Sequence, residues 1–278
     1  MPPAAHPSLD FWTLAVDRAE AALASGAMHS FECALEYVQD EGVEFVLRIA
    51  TKFPPGETAA GRGKDAPKLR ENPFLDPEPE LLVRDLGPRH RALLNKFSVL
   101  REHLVIATRE YEPQRSPLDE HDFAALEMVM RDAEVLAFYN GGTEAGASQP
   151  HKHLQVVTLP LSPRRSIPMQ SLLGREPPQL PFRHAFARLE PGHASRPAAM
   201  LQAYRTLHRQ AGLQFPQPYS LLVTHEWMLV VPRSRDRFEG ISINSLAFAG
   251  SLFVREPGQA HAIVAAGPMA VLRSVAMP

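Results

Sequence analysis

Cysteine is almost missing from this chain: Cys33 stands alone among 278 residues. No internal disulfide can form, and a lone thiol suits a reducing, cytoplasmic compartment. Cys33 itself is expected to pack as a small hydrophobe and not to act as a nucleophile. An excess of one charge is missing too. The 29 Lys and Arg residues face 31 Asp and Glu, a formal net charge of −2, so nothing global draws the chain to nucleic acid. No apolar run approaches the roughly eighteen residues of a membrane span, and no membrane partner is expected. Residues 1–7 lack a charged stretch followed by an apolar one, so no secretion signal is expected. The spacings C-x-x-C and H-E-x-x-H are absent, and no protein-bound metal is expected.

Proline, by contrast, is abundant at 27 residues, and clusters at 54–55, 67–79, 160–181 and 216–218 mark long connections. Between them lie short periodic segments. Apolar spacing predicts a helix over 9–25 with Ser8 as its cap, and a second over 119–133 capped by Asp119. A third helix is expected over 197–213, and helical segments over 257–274. Alternation predicts a hairpin of 31–39 and 43–50 about Glu41-Gly42, and another of 219–224 and 227–231 about His225-Glu226. Strands are expected at 81–83, 92–97, 103–108 and 135–139, the last pairing with 151–159. Short elements should lie at 166–174 and 181–187. Strands joined by hairpins and interleaved with single helices indicate an α+β fold, a mostly antiparallel sheet with flanking helices. The chain divides into residues 1–165 and 166–278, which can pack as one continuous unit.

The most informative stretch is a glycine-rich loop, Asn140, Gly141, Gly142, Thr143, Glu144, Ala145, Gly146, Ala147, Ser148, Gln149 and Pro150, running into His151-Lys152-His153-Leu154-Gln155. In a strand, His151, His153 and Gln155 face one way, and Lys152, Leu154 and Val156 the other. Neutral imidazole can attack phosphorus near neutral pH, and a covalent phosphoramidate splits one hard displacement into two easier ones. The transferring group carries negative oxygens that need donors. Gly141, Gly142 and Gly146 let backbone amides turn inward, and Thr143, Ser148, Gln149 and Gln155 add side-chain donors. Taken singly, the H-x-H pair is also consistent with a metal site, and the glycines with a plain turn. Their order together points to phosphoryl or nucleotidyl transfer through a histidine.

The pattern H-x-H-x-Q at 151–155 resembles the nucleotidyltransferase branch of the histidine-triad (HIT) superfamily. The loop resembles that of the diadenosine tetraphosphate (Ap4A) phosphorylases, also called ATP adenylyltransferases. Asn72-Pro73-Phe74, Leu94-Asn95-Lys96-Phe97 and blocks at 227–234 and 243–250 agree. The resemblance covers about residues 30–260. It implies a HIT-like fold with two related halves, and phosphorolysis of Ap4A to ATP and ADP through an adenylyl-histidine. His153 would be the nucleophile, and His151 would orient it through its backbone carbonyl. Gln155, where hydrolases of the superfamily carry a third histidine, argues for transfer to phosphate over hydrolysis. Gln155, Ser148 and Gln149 would hold phosphate oxygens, with Gly142 and Thr143 as backbone donors. Asn95, Lys96, Lys52, Asn244 and Ser245 are further candidates for substrate contact. The implied partners are a dinucleoside polyphosphate, ATP, ADP and phosphate, with a divalent cation, Mg2+, accompanying the substrate. Alternatives are transfer to or from adenylyl sulfate or a nucleoside-diphosphate sugar, or nucleotide binding without turnover. The loop 53–80, with Arg62, Lys64, Lys68 and Arg70, reads as a surface connection or as a lid over polyphosphate. His103, His121 and His225 are expected to be surface or packing residues.

Overall fold

The computed structural model describes residues 10–58, 61–62, 70–100, 102–175, 178–190 and 196–278. Ser8, Lys64 and Lys68 lie outside them. Helix α1 (Phe11–Ser25) is capped by Asp10, whose carboxylate accepts from the Trp12 amide, and it ends at Gly26 with φ 76°. Asp10 therefore holds the cap expected at Ser8. A hairpin follows, β1 (Glu32–Asp40) and β2 (Val43–Lys52), turning at Glu41-Gly42 as expected.

The main sheet is built from β3 (Leu82–Leu86), β4 (His90–Leu94), β5 (Leu104–Thr108), β6 (Val135–Gly141), β7 (His153–Thr158), β8 (Ala185–Arg188), β9 (Tyr219–Val223) and β10 (Trp227–Pro232). These eight strands lie in the order β8-β10-β9-β6-β7-β5-β4-β3, each neighbouring pair antiparallel. The β6–β9 pair joins the earlier and later parts of the chain in one sheet. A shorter strand, β11 (Ser251–Val254), pairs in parallel with β2.

Alternation along β7 decides what covers each face. Leu154 and Val156 enter a core shared with α1, α2 (Glu120–Met130) and α4 (Arg196–Gln210). Val157 enters a second core with Phe45 and Leu47 of β2 and residues of α5 (Pro257–Ala266) and α6 (Pro268–Val275). Each such fully buried side chain contributes roughly 1.5–3 kcal/mol. Sliding β7 by one residue would exchange these faces and bury the histidines in the wrong core.

Some boundaries differ from the periodicity. The strand expected over 92–97 is β4, which starts at His90 and stops at Leu94. Beyond it the Asn95 amide donates to the His103 carbonyl, and Phe97–Ser98 pairs instead with His29–Ser30. The segment 166–174 contains the four-residue helix α3 (Gln170–Leu173), while 181–187 becomes β8.

Candidate active site

His153 begins β7, with Ala107 of β5 beside it on one edge. Its Nδ1 lies 2.8 Å from the carbonyl oxygen of His151. A carbonyl only accepts, so the ring proton sits on Nδ1, and Nε2 keeps its lone pair. Burial pushes the His153 pKa down to about 4, against a smaller raising effect of the bond to His151. The ring is therefore a neutral nucleophile at physiological pH. His151 is held twice, with Nδ1 at 3.1 Å from Asn72 Oδ1 and Nε2 at 2.8 Å from Thr108 Oγ1. Both its nitrogens are engaged, which leaves it to position and not to attack. Burial lowers its pKa as well. The Phe74 ring packs on both histidines, 4.9 Å from the His153 centroid and 5.7 Å from that of His151.

A cleft of about 160 Å³, open to solvent, lies in front of His153. Phe74, Leu81, Leu93, Phe97 and Val105 form its apolar part. Ser148, Gln149, His153 and Gln155 gather on the polar side, with Asn95, Lys96, Glu78 and Arg70 also lining it. Such a cleft can take a flat base against the apolar wall and a phosphate against the amide and hydroxyl donors. Lys96 is paired with Glu78 at 2.6 Å, and Arg70 pairs with Asp76. Among the described residues of the 53–80 segment, Arg70 lines the cleft, and the side chain of Arg62 falls outside the described structure. Lys64 and Lys68 fall outside the described residues.

The glycine loop is braced from behind. The amides of Gly142, Ala145, Gly146 and Ala147 donate to loop carbonyls, at 2.8–3.2 Å. They close the loop on itself, so the expected backbone cradle of Gly142 and its neighbours is mostly internal. A methyl group on Gly141 would sit 2.6 Å from the Tyr219 ring. A methyl group on Gly146, whose φ is +93°, would lie 2.9 Å from Asn244 Cα. These two glycines allow close packing. Asn140 Oδ1 accepts from the Ser245 amide at 2.9 Å, and Ser245 Oγ donates to the Tyr139 carbonyl at 2.9 Å. Asn244 caps its own short helical turn. Asn244 and Ser245 thus support the loop from its far side, where substrate contact had been expected. Thr143 lies beside Glu144 and Arg115, which form an ion pair. Lys52 stands at the end of β2, exposed and bound to Glu32 at 2.6 Å, and does not line the cleft.

Three residues were missed or misread in the sequence. Gln114 bonds the His153 backbone, Thr108 bonds His151, and His103 bonds Gln155 at 2.8 Å between Nε2 and Oε1. His103 is buried, packs on Phe138 and bonds Gln155, so of the surface and packing readings the structure takes the second and adds a polar contact to the catalytic strand. His225 behaves as expected, bridging the Ala133 carbonyl and Arg196. On the opposite face of β7, Lys152 is buried with Asp122 at 2.6 Å and Glu112 at 3.2 Å, and Asp122 also meets His90 at 2.8 Å. This charged cluster fixes the strand from beneath. Cys33 is half-buried, and burial pushes its thiol pKa up, consistent with an unreactive thiol.

A neutral imidazole with its lone pair turned to a cleft, flanked by a closed glycine loop and placed on an antiparallel sheet, defines a histidine-dependent transferase acting at phosphorus. Comparison with known proteins narrows the class. The model of the Ap4A phosphorylase N-terminal domain matches residues 3–175, and that of the ATP adenylyltransferase C-terminal domain matches 178–278. The chain belongs to the Ap4A phosphorylase/ATP adenylyltransferase family. It is 30% identical over 235 residues to Diadenosine 5',5'''-P1,P4-tetraphosphate phosphorylase 2 of Saccharomyces cerevisiae, covering 69% of this chain and 71% of that protein. It is 28% identical over 224 residues to Protein APA1 of the same yeast, covering 66% and 69%. The crystal structure of yeast Ap4A phosphorylase Apa2 in complex with AMP superposes with a TM-score of 0.81 at 26% identity, over 98% of this chain and 99% of that one. Apa2 in complex with Ap4A shares the fold, with a TM-score of 0.78 at 24% identity over 97% and 98%. The α+β architecture with a mostly antiparallel sheet, expected from the strand and helix pattern, is the one observed.

Proposed function

We infer that this chain is an Ap4A phosphorylase: Ap4A plus phosphate gives ATP plus ADP by double displacement. His153 Nε2 attacks the phosphorus that carries one adenosine. The bond from that phosphorus to the bridging oxygen breaks, and ATP leaves with the bond's electrons. The adenylyl group is then held by a P–N bond. An oxygen of inorganic phosphate attacks next, the P–N bond breaks, and ADP departs with His153 neutral again. Nδ1–H stays on the ring throughout, and the His151 carbonyl stabilises the positive charge that develops there. The observation that carries this reading is the 2.8 Å bond from His153 Nδ1 to His151 O, which leaves Nε2 as the nucleophile at the cleft. Membership of the family and the resemblance to the yeast enzymes support the choice of substrate.

Ser148, Gln149 and Gln155 would receive the phosphate oxygens, and the apolar wall with Phe74 and Val105 would receive adenine. The divalent cation expected with the substrate finds no cluster of three or more His, Cys, Asp or Glu side chains among the described residues. It would be held by the polyphosphate itself. No helix among the described residues is long and apolar enough to cross a membrane, which is compatible with the cytoplasmic location we propose.

The test is incubation of the pure protein with Ap4A carrying label at the adenosine-bound phosphorus, with and without phosphate. Acid-labile label on the protein, absent from His153→Ala, and ADP formation that depends on phosphate are the expected results. AMP and ATP released equally fast without phosphate would make the chain a hydrolase and overturn the reading.

A further inference from the structure

We propose that His103 is a positioning residue that fixes which end of the Gln155 carboxamide faces the transferring phosphate. The inference rests on the function proposed above and begins at a backbone amide remote from the chemistry. The Phe97 N–H lies 3.2 Å from Asn95 Oδ1. A backbone N–H only donates, so it settles the orientation of the Asn95 carboxamide. The NH2 group of Asn95 is then the end that meets His103, 3.2 Å from Nδ1 and 3.4 Å from Nε2, and Nδ1 is the nitrogen left to it because Nε2 lies closer to Gln155, at 2.8 Å. Nδ1 must accept, and the ring proton must sit on Nε2. That Nε2–H, 2.8 Å away, can be received only by the oxygen of Gln155. The NH2 group of Gln155 is left as the end available to the cleft, which Gln155 lines together with His153.

Each link excludes the flipped alternative at the next, so a donor is presented to the negative oxygens without being chosen by the substrate. An unconstrained carboxamide would present oxygen as readily as NH2, and oxygen would repel the phosphate. His103 serves because it stays neutral. Burial holds its pKa down to about 4, more than the bond to Gln155 raises it. A protonated ring would turn an N–H on the Asn95 NH2 group and break the relay. Phe138 packs against the ring with centroids 5.9 Å apart and limits its rotation.

The experiment compares His103→Leu, His103→Gln, Gln155→Ala and the double variant His103→Leu/Gln155→Ala. It measures the single-turnover rate of protein labelling from Ap4A labelled at the adenosine-bound phosphorus, with melting temperature followed in parallel. Loss of a fixed donor to the transferring group corresponds to about 100–1000-fold in rate. His103→Leu should show that loss with a smaller change in KM. His103→Gln, which can still donate to Gln155 Oε1, should recover at least part of it. In the Gln155→Ala background, His103→Leu should cost nothing further. Equal rates for the Leu and Gln variants, or losses that multiply in the double variant, would overturn the inference. An unaltered protein that takes no label would instead overturn the underlying function, and this inference with it.

Discussion

The side chain of Gln114 holds the backbone of His153 from both sides. Its Oε1 accepts from the His153 N–H at 2.8 Å, and its Nε2 donates to the His153 carbonyl at 3.1 Å and to the Asn140 carbonyl at 2.9 Å. β6 and β7 pair from Val135↔Thr158 to Phe138↔Gln155 and then part to form the glycine loop. Gln114 stands where the next rung of that ladder would be. It lets the strands diverge without leaving buried backbone groups of the nucleophile unpaired.

Gln114→Leu is therefore predicted to leave the His153 N–H unsatisfied, at a cost of about 1–3 kcal/mol. The nucleophile would also lose its register, which can lower kcat by about 100-fold. Steady-state kinetics on Ap4A should show the fall mainly in kcat. A variant with unchanged kcat would mean that β5 alone positions His153.

Gly146→Ala and Gly212→Ala form a matched pair. Both glycines have positive φ, +93° and +67°, so each substitution carries a backbone strain of about 1–2 kcal/mol. A methyl group at 212 meets nothing within 4 Å, whereas one at 146 lies 2.9 Å from Asn244 Cα. We predict that Gly212→Ala lowers the melting temperature slightly and keeps activity. Gly146→Ala should displace the loop and lose activity as well. Equal activity in the two variants would show that the contact between the loop and Asn244 is dispensable.

Asp122 has Lys152 on one carboxylate oxygen and His90 on the other. Asp122→Ala is predicted to destabilise the fold by about 3–5 kcal/mol, the usual penalty for stranding a buried partner. Adding Lys152→Met should recover part of the loss, because the uncompensated ammonium is then gone. Urea denaturation of the three forms measures both effects. A double variant less stable than Asp122→Ala would argue that Glu112 alone satisfies Lys152.

Burial holds His103, His153 and His208 at a pKa of about 4. Below the unfolded value near 6.5, the unfolded chain binds protons on these rings that the folded chain does not. Stability is then full above about pH 6.5 and falls as pH drops toward 4. Each ring contributes a loss on the order of 2 kcal/mol by pH 5. The denaturation midpoint should fall between pH 7.5 and pH 5, and less steeply in His208→Phe. A midpoint that stays level across that range would contradict the burial of these rings.

Much of the site was legible because its parts are consecutive. The order of glycine loop, His151, His153 and Gln155 places the nucleophile and Gln155 on one face of β7 by alternation, with the orienting His151 carbonyl two residues before His153. The same rule sent Leu154 and Val156 to the opposite core. The bond from His153 to His151 O spans two residues, a distance over which local geometry is sufficient.

The partners of those residues came from elsewhere in the chain. Gln114, Asn72 and His103 are separated by 39, 79 and 52 residues from the groups they bind. Such polar pairs leave no periodic trace, because their hydrogen bonds depend on which strands become neighbours. Lys52 illustrates the converse. A basic residue after a strand is a reasonable phosphate ligand in sequence, but its hairpin pairs with β11 and not with the main sheet, and Glu32 neutralises it. The sequence by itself determined the chemistry, through residue types at fixed spacing on one strand. Only the tertiary structure decided which distant side chains orient that chemistry and which conserve the loop's shape, because strand order and packing set those contacts.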